Sequence, residues 1–307
     1  MGQEDLYQSD FYENKNRFAD VFNGALFGGK EIMKPEELEN EDSVRVILRG
    51  KNKSKKVIAD KIRKWQGGYV SIMVLENQSY VDYSMVLRVM EAEIIGYEKQ
   101  RREAYAVNRT NNTKFDKHEY LSRMKKEQKF VPIITLVLYV GKDKIWDGER
   151  SLHGMLEMDE NIKPFVNDFK LNLFDYHDYD SFEMFKTENR LLFEMLSCGK
   201  DKKRMYEMLK KNILYKKMDK LTAEAIFEVL NVNVDMEKII EIDETGREVY
   251  DMCKAFEDYK EEGRQEVEIE IVDMIKNLMK NQEISFDTAT ELLGISKNKK
   301  KKLSTLF

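Results

Sequence analysis

Apolar residues recur at helical spacing near the start of the chain, at Phe11, Phe18, Val21, Phe22, Ala25 and Leu26, and the pattern stops at Gly28-Gly29. This predicts a helix over 11–27. Asp20 and Asn23 lie three residues apart on one flank of it, and spacing leaves open whether that flank is functional or a solvated edge. Lys34 to Glu41 reads as a polar connection in which Pro35 opens a short helical turn. Ser43 to Arg49 alternates partly and reads as a strand. Tyr69–Leu75 and Pro132–Tyr139 are nearly continuous apolar runs, which predict buried strands. Between them Val86, Met90, Glu93, Tyr97 and Gln100 form one stripe of a helix running from Val81 to about Tyr105. Residues 106–129 are polar, with a loop at Asn108–Thr113. The order helix, strands, helix, strand predicts an α/β fold.

Past about residue 160 the pattern changes. Over 181–260, Met and Phe fall at core spacing of helices with Lys- and Glu-rich outer faces. A charged amphipathic helix follows over Lys260–Lys280. Residues 284–303 have helix-turn-helix spacing, with Ser285 as cap, a turn at Gly294, and lysines at 297 and 299–302 that read as a basic tail or a recognition helix. The expected organisation is an α/β core over 1–160, an all-helical region over 161–260, and a charged helix with a basic helix-turn-helix-like tail over 261–307. The helix from Lys260 is also a candidate dimerisation element, which would make a homodimer.

With 307 residues, 42% hydrophobic and 36% charged, the chain is long enough for a sizeable core. A net charge of −5 argues against a uniformly basic nucleic-acid binder. Two cysteines and three histidines exclude a disulfide framework and make a zinc site implausible. The acidic start MGQEDLYQSD is not a targeting signal, and the longest apolar run, Val131–Val140, is about half a membrane span. We expect a cytoplasmic protein with no membrane contact.

The chemistry concentrates in Lys51–Gln100. A hairpin turning about Gly67-Gly68 would bring Asp60 and Glu76, sixteen residues apart, opposite each other to within about one residue. Strand alternation then sets Gln78 on the face of Glu76. The segment carrying Asp60 reads as a strand with Ile58, Asp60 and Ile62 on one face, or as a helix with Asp60 exposed. As strands, two carboxylates and a carboxamide would converge at one end of a sheet, which suits Mg²⁺ or another divalent cation beside a phosphate backbone. The nearby Lys55, Lys56, Lys61, Arg63 and Lys64 are candidate DNA contacts, or a solvated basic face. Arg88 would pair with a site carboxylate or support helix packing.

The segments RFADVFNGALF (17–27), VIADKIRKW (57–65), LENQSYVDYSMVLRVM (75–90), GYEKQ (96–100) and FVPIITLVLYVGKDKIWDGERSLHGML (130–156) resemble the Rpn family. Its members are recombination-promoting nucleases, also labelled putative transposases and YhgA-like, within the PD-(D/E)XK nuclease superfamily. The resemblance covers roughly residues 11–160. It implies a restriction-endonuclease-like core, a central mixed sheet flanked by helices. Asp60 and Glu76 would hold the metal, and Gln78, in the family's Glu-x-Gln form, would position water or phosphate. Asp20, Arg88 and Gln100 would contribute secondarily. The proline of the family's Met-Pro-x-Arg run is missing here, where the chain reads Met85-Val86-Leu87-Arg88. The implied activity is Mg²⁺-dependent DNA endonuclease cleavage with little sequence specificity, promoting recombination. The alternative is a catalytically inactive nuclease scaffold that binds DNA or protein.

Overall fold

The computed structural model describes residues 11–40, 46–50, 53–57, 61–66, 68–75, 81–111, 114–141, 144–199, 201–230, 234–296, 300–301 and 303–304. Two compact units divide the chain, one of Met1–Met205 with Lys220–Asn233, the other of Tyr206–Asp219 with Val234–Phe307.

The first unit is built on a five-stranded mixed sheet. Its strands are β1 (Glu39–Asn40), β4 (Lys61–Trp65), β5 (Gly68–Leu75), β6 (Ile133–Tyr139) and β7 (Asn172–Asp175), in that spatial order. A separate hairpin pairs β2 (Val46–Gly50) with β3 (Lys53–Val57). β4 and β5 are antiparallel, as the glycine-centred hairpin predicts. The register differs, however. A turn centred on Gly68 requires Lys61 to face Leu75, whereas Lys61 faces Ile72 and Trp65 faces Gly68. The chain therefore turns ahead of Gly68, and Gln66 takes a left-handed φ of 47°, as hairpin turns demand.

β5 and β6 are parallel neighbours joined by helix α2 (Met85–Thr110), the usual crossover unit. Here α1 denotes Lys15–Phe27, capped by the Asn14 side chain and ended by left-handed Gly28. The alternation of β6 separates two cores. Val137 and Tyr139 pack with Val81, Met85, Val89 and Trp146 on the α2 side. Leu136 and Leu138, also fully buried, lie on the other face. Register places Arg63 in the row of Val70 and Ile134, and so on that second face. There α1 covers it, with the Arg63 guanidinium 5.1 Å from the Phe18 ring. Phe174 of β7 extends this face into a cluster with Phe185 and Phe193, at ring separations of 5.3 and 4.7 Å. Each such buried aromatic contributes about 2–3 kcal/mol of transfer free energy. Helices thus cover both faces of the sheet.

α2 is zipped to β6 along the stripe read from the sequence. Glu93 bonds Thr135, Tyr97 Oη accepts from Ile133 N at 3.1 Å, and Gln100 bonds Val131 N and O at 2.9 and 3.1 Å. One helical turn and two strand residues both advance roughly 6 Å, so the spacings match. Gly96 sits where a Cβ would collide with the Ile133 side chain, which permits this close approach.

Several expectations need correction. Asn108–Thr110 are the last turn of α2 rather than loop, and a short helix α3 (Lys117–Ser122) follows. The α/β region does not end at 160. β7 at 172–175 is a strand of the main sheet, and the same unit includes α4 (Asn189–Ser197) and α6 (Lys220–Leu230), with α5 (Lys202–Lys211) between them in sequence. The C-terminal part is not all-helical either, because β8 (Ile240–Ile242) and β9 (Glu248–Tyr250) form an antiparallel hairpin. In the second unit α7 (Met252–Gln282) is followed by α8 (Phe286–Leu292), capped by Ser285 as expected. Leu303 is fully buried with Ile275 and Ala289, so this part of the lysine-rich segment packs rather than trailing free. No described helix is long and apolar enough to cross a membrane.

Candidate active site

The strand ends nearest in sequence to Asp60, Glu76 and Gln78 lie toward one end of the sheet. β5 leaves the sheet at Leu75, level with Tyr139 of β6 and, one strand further, Asp175 of β7. β4 starts at Lys61, opposite Ile72, toward the same end. In sheets with helix crossovers, ligands bind beyond the carboxyl ends of the parallel strands, where connections emerge freely. Asp60 precedes Lys61, and Glu76 and Gln78 follow Leu75, in the sequence. All three lie outside the described residues. Among the described residues no group of three or more His, Cys, Asp or Glu could hold a metal ion.

The described part of this edge is polar and well ordered by hydrogen bonds. Asp82 lies just ahead of α2, accepting Ser84 N at 2.9 Å and Ser84 Oγ at 2.6 Å, and it pairs with Arg88. Partial burial pushes the Asp82 carboxyl up, but the bonds from Ser84 and Arg88 outweigh it and hold the group below its ordinary value. Beyond β6, the Lys144 ammonium donates to Tyr83 Oη at 3.0 Å and pairs with Asp147, while Tyr83 donates to Asp147 at 3.1 Å. Bonding to Asp147 and Tyr83 drives the Lys144 pKa upward, so Lys144 is a firmly charged cation at the surface. At the end of β7, Asp175 is completely buried. It accepts Trp146 N at 2.9 Å, His177 N at 3.0 Å and the His177 Nδ1 at 2.7 Å.

The structure separates the remaining predicted residues from this edge or gives them other work. Asp20 is not a solvated edge. It is buried on α1, where its carboxylate accepts Lys186 N at 2.7 Å, Thr187 N at 3.1 Å, Thr187 Oγ1 at 2.6 Å and Asn189 Nδ2 at 3.1 Å. Asn23 similarly ties down Ile32 and Met33 through three backbone bonds. Both residues line a cleft of about 210 Å³ with Glu31, Lys34 and Lys186. Gln100 clamps the amino end of β6 at Val131, eight residues and so roughly 26 Å along the strand from Tyr139. Arg88 is at the site edge but engaged with Asp82.

Arg63 corrects an expectation. It is 1% exposed and donates to Tyr12 O at 3.3 Å and Glu13 O at 2.6 Å, so it braces the start of α1 and cannot reach DNA. Burial lowers its pKa. Lys64 is partly exposed and pairs with Glu39 of neighbouring β1 at 3.4 Å. Lys55, Lys56 and Lys61 lie on β3 and β4, but their side chains are outside what is described.

Sequence reasoning missed Asp175 and His177 because β7 is too short to announce itself by alternation. Tyr83, Lys144 and Asp147 stood within the segments that carry the resemblance, yet only the tertiary fold brings 83 beside 144–147.

No curated protein and no solved structure matches the chain. The family described as putative transposase, YhgA-like, matches residues 61–226. The match thus begins one residue after Asp60, contains Glu76, Gln78 and all of β4 to β7, and extends well beyond the resemblance read over 11–160. It spans more than half of the chain, from β4 through β7 into α6, so this protein belongs to the YhgA-like putative transposase family.

Proposed function

We propose that the protein is a Mg²⁺-dependent DNA endonuclease with a restriction-endonuclease-like core, hydrolysing phosphodiester bonds at the carboxyl edge of its sheet. The observation that carries this reading is the convergence of β4's start at Lys61 and β5's end at Leu75 toward one end of the sheet, in a member of a family named for transposition. These are the strand ends that Asp60, Glu76 and Gln78 flank in the sequence. Two carboxylates and a carboxamide are hard oxygen donors, the set that Mg²⁺ prefers over softer metals. Asp60 and Glu76 would hold the ion, which when bound supplies charge to the scissile phosphate and acidifies water. Gln78 would orient water or phosphate by hydrogen bonding, without adding the positive charge a lysine would bring there. Lys144 and Arg88 on the same edge would contact the DNA backbone by exchanging their Asp147 and Asp82 partners for phosphate. Lys55, Lys56, Lys61 and Lys64 would extend that basic surface toward DNA.

Calorimetric titration of Mg²⁺, with and without Asp60→Ala and Glu76→Ala, tests the metal assignment. We expect saturable binding that both substitutions weaken by at least tenfold. Equal binding by all three proteins would place the metal elsewhere.

A further inference from the structure

The Asp175–His177 pair is not used by the reading above, and it lies in the same row of the sheet as the end of β5. Leu75, Tyr139 and Asp175 are successive cross-strand partners, so Asp175 is two strand spacings, roughly 10 Å, from Leu75. Asp175 is fully buried and takes two backbone N–H donors besides the imidazole, so its carboxylate is the acceptor and His177 Nδ1 carries the proton. The ring is held flat against Tyr176, at 3.9 Å between centroids and an interplanar angle of 28°. Nε2 is on the far side of the ring from the buried carboxylate. It has no hydrogen-bond partner among the described residues, and the side chain is 21% exposed. A buried acid that fixes the tautomer of a partly exposed histidine leaves a bare, oriented Nε2.

We infer that His177 is a proton acceptor for phosphodiester hydrolysis at this edge, with Asp175 as its positioning residue. The inference rests on the nuclease reading. In the step, an O–H bond of the attacking water breaks and its proton passes to His177 Nε2. The oxygen bonds phosphorus, and the P–O bond to the leaving oxygen breaks, that oxygen taking a proton from solvent. The imidazolium so formed faces the Asp175 carboxylate, which stabilises it. Among the described residues, Tyr176 on the same turn and the Tyr139 ring of β6, at 6.3 Å, flank the ring, and Asp178, next in the chain, pairs with Arg150 at 2.9 Å.

The test is the pH–rate profile of plasmid nicking with Mg²⁺ for wild type, His177→Gln and His177→Ala, the last with and without imidazole in the buffer. We expect the substitutions to slow cleavage about 100-fold, in the range for general bases. The acidic limb of the profile should disappear, and imidazole should restore rate to His177→Ala alone. Unchanged rates, or a loss with an unchanged profile and no rescue, would overturn the inference while leaving the nuclease reading standing. A wild type that cleaves nothing with any divalent cation would overturn both. Should the substituted proteins not fold, ring ¹⁵N–¹H correlation of the wild type with Ca²⁺ and a short DNA duplex decides. There are three histidines, assigned through His118→Gln and His153→Gln. The DNA should shift the His177 ring, and a still His177 would overturn the inference.

Discussion

Asp20 offers the sharpest separation between a catalytic and a structural acid. Its carboxylate holds the turn Lys186–Asn189 that starts α4, through four hydrogen bonds from donors buried or half-buried beside it. Asp20→Ala leaves two backbone N–H groups, one hydroxyl and one amide without this acceptor. Hydrogen bonds to charged groups are each worth about 1.5–3 kcal/mol net, and they do not add fully when they share one acceptor. A loss of about 3–5 kcal/mol is therefore expected, comparable with breaking a buried ion pair. At about 2–4 °C per kcal/mol this lowers Tm by on the order of 10 °C. Asp20→Asn keeps one acceptor but turns an NH₂ toward these donors, and should fall between. Thermal melts by circular dichroism measure the loss, and cleavage assayed well below the lowered Tm should match wild type within a few-fold. A Tm within about 1 °C of wild type together with lost cleavage would refute the structural assignment.

Arg63→Ala should destabilise by about 3 kcal/mol, because Tyr12 O and Glu13 O lose their donor and α1 its brace. In a gel-shift titration its DNA affinity should not change. Gln100→Ala removes both bonds to Val131 and should cost about 1–2 kcal/mol in chemical denaturation, with cleavage intact. Burial raises the Glu93 carboxyl above its ordinary 4.5, against the opposing bonds to Thr135. The native state then binds that proton more tightly than the unfolded chain, so the residue favours folding at low pH and this contribution is lost as pH rises through the folded value. Glu93→Gln should accordingly raise Tm at about pH 7 and change it little at about pH 4.

The apolar runs Tyr69–Leu75 and Pro132–Tyr139 declared the two central strands, because a strand flanked on both sides needs no polar alternation. The Val86-to-Gln100 stripe was equally legible, since its polar members Glu93, Tyr97 and Gln100 replace strand partners along β6. β7 was not, because four residues give too little periodicity and Asp175 ends it. The β8–β9 hairpin was hidden for the same reason, each strand being three residues long. Arg63 misled by its neighbours. A lysine-rich strand reads as a solvated face, and nothing local signals that one cation packs under α1 beside Phe18. Asp20 and Asn23 were found by their spacing, but their partners at 186–189 and 32–33 are tertiary. The hairpin register slipped because a glycine pair suggests a symmetric turn, whereas Gln66 takes the left-handed position ahead of it.

The most direct test of the account is nicking of supercoiled plasmid in Mg²⁺, with an EDTA control, by wild type and by Glu76→Ala, each shown to be folded by its melting curve. Wild type should nick in a metal-dependent way, and the rate should fall by at least about 100-fold in Glu76→Ala at similar Tm. Equal cleavage by both proteins would contradict the site. No cleavage by either, with DNA binding retained in both, would contradict the nuclease itself.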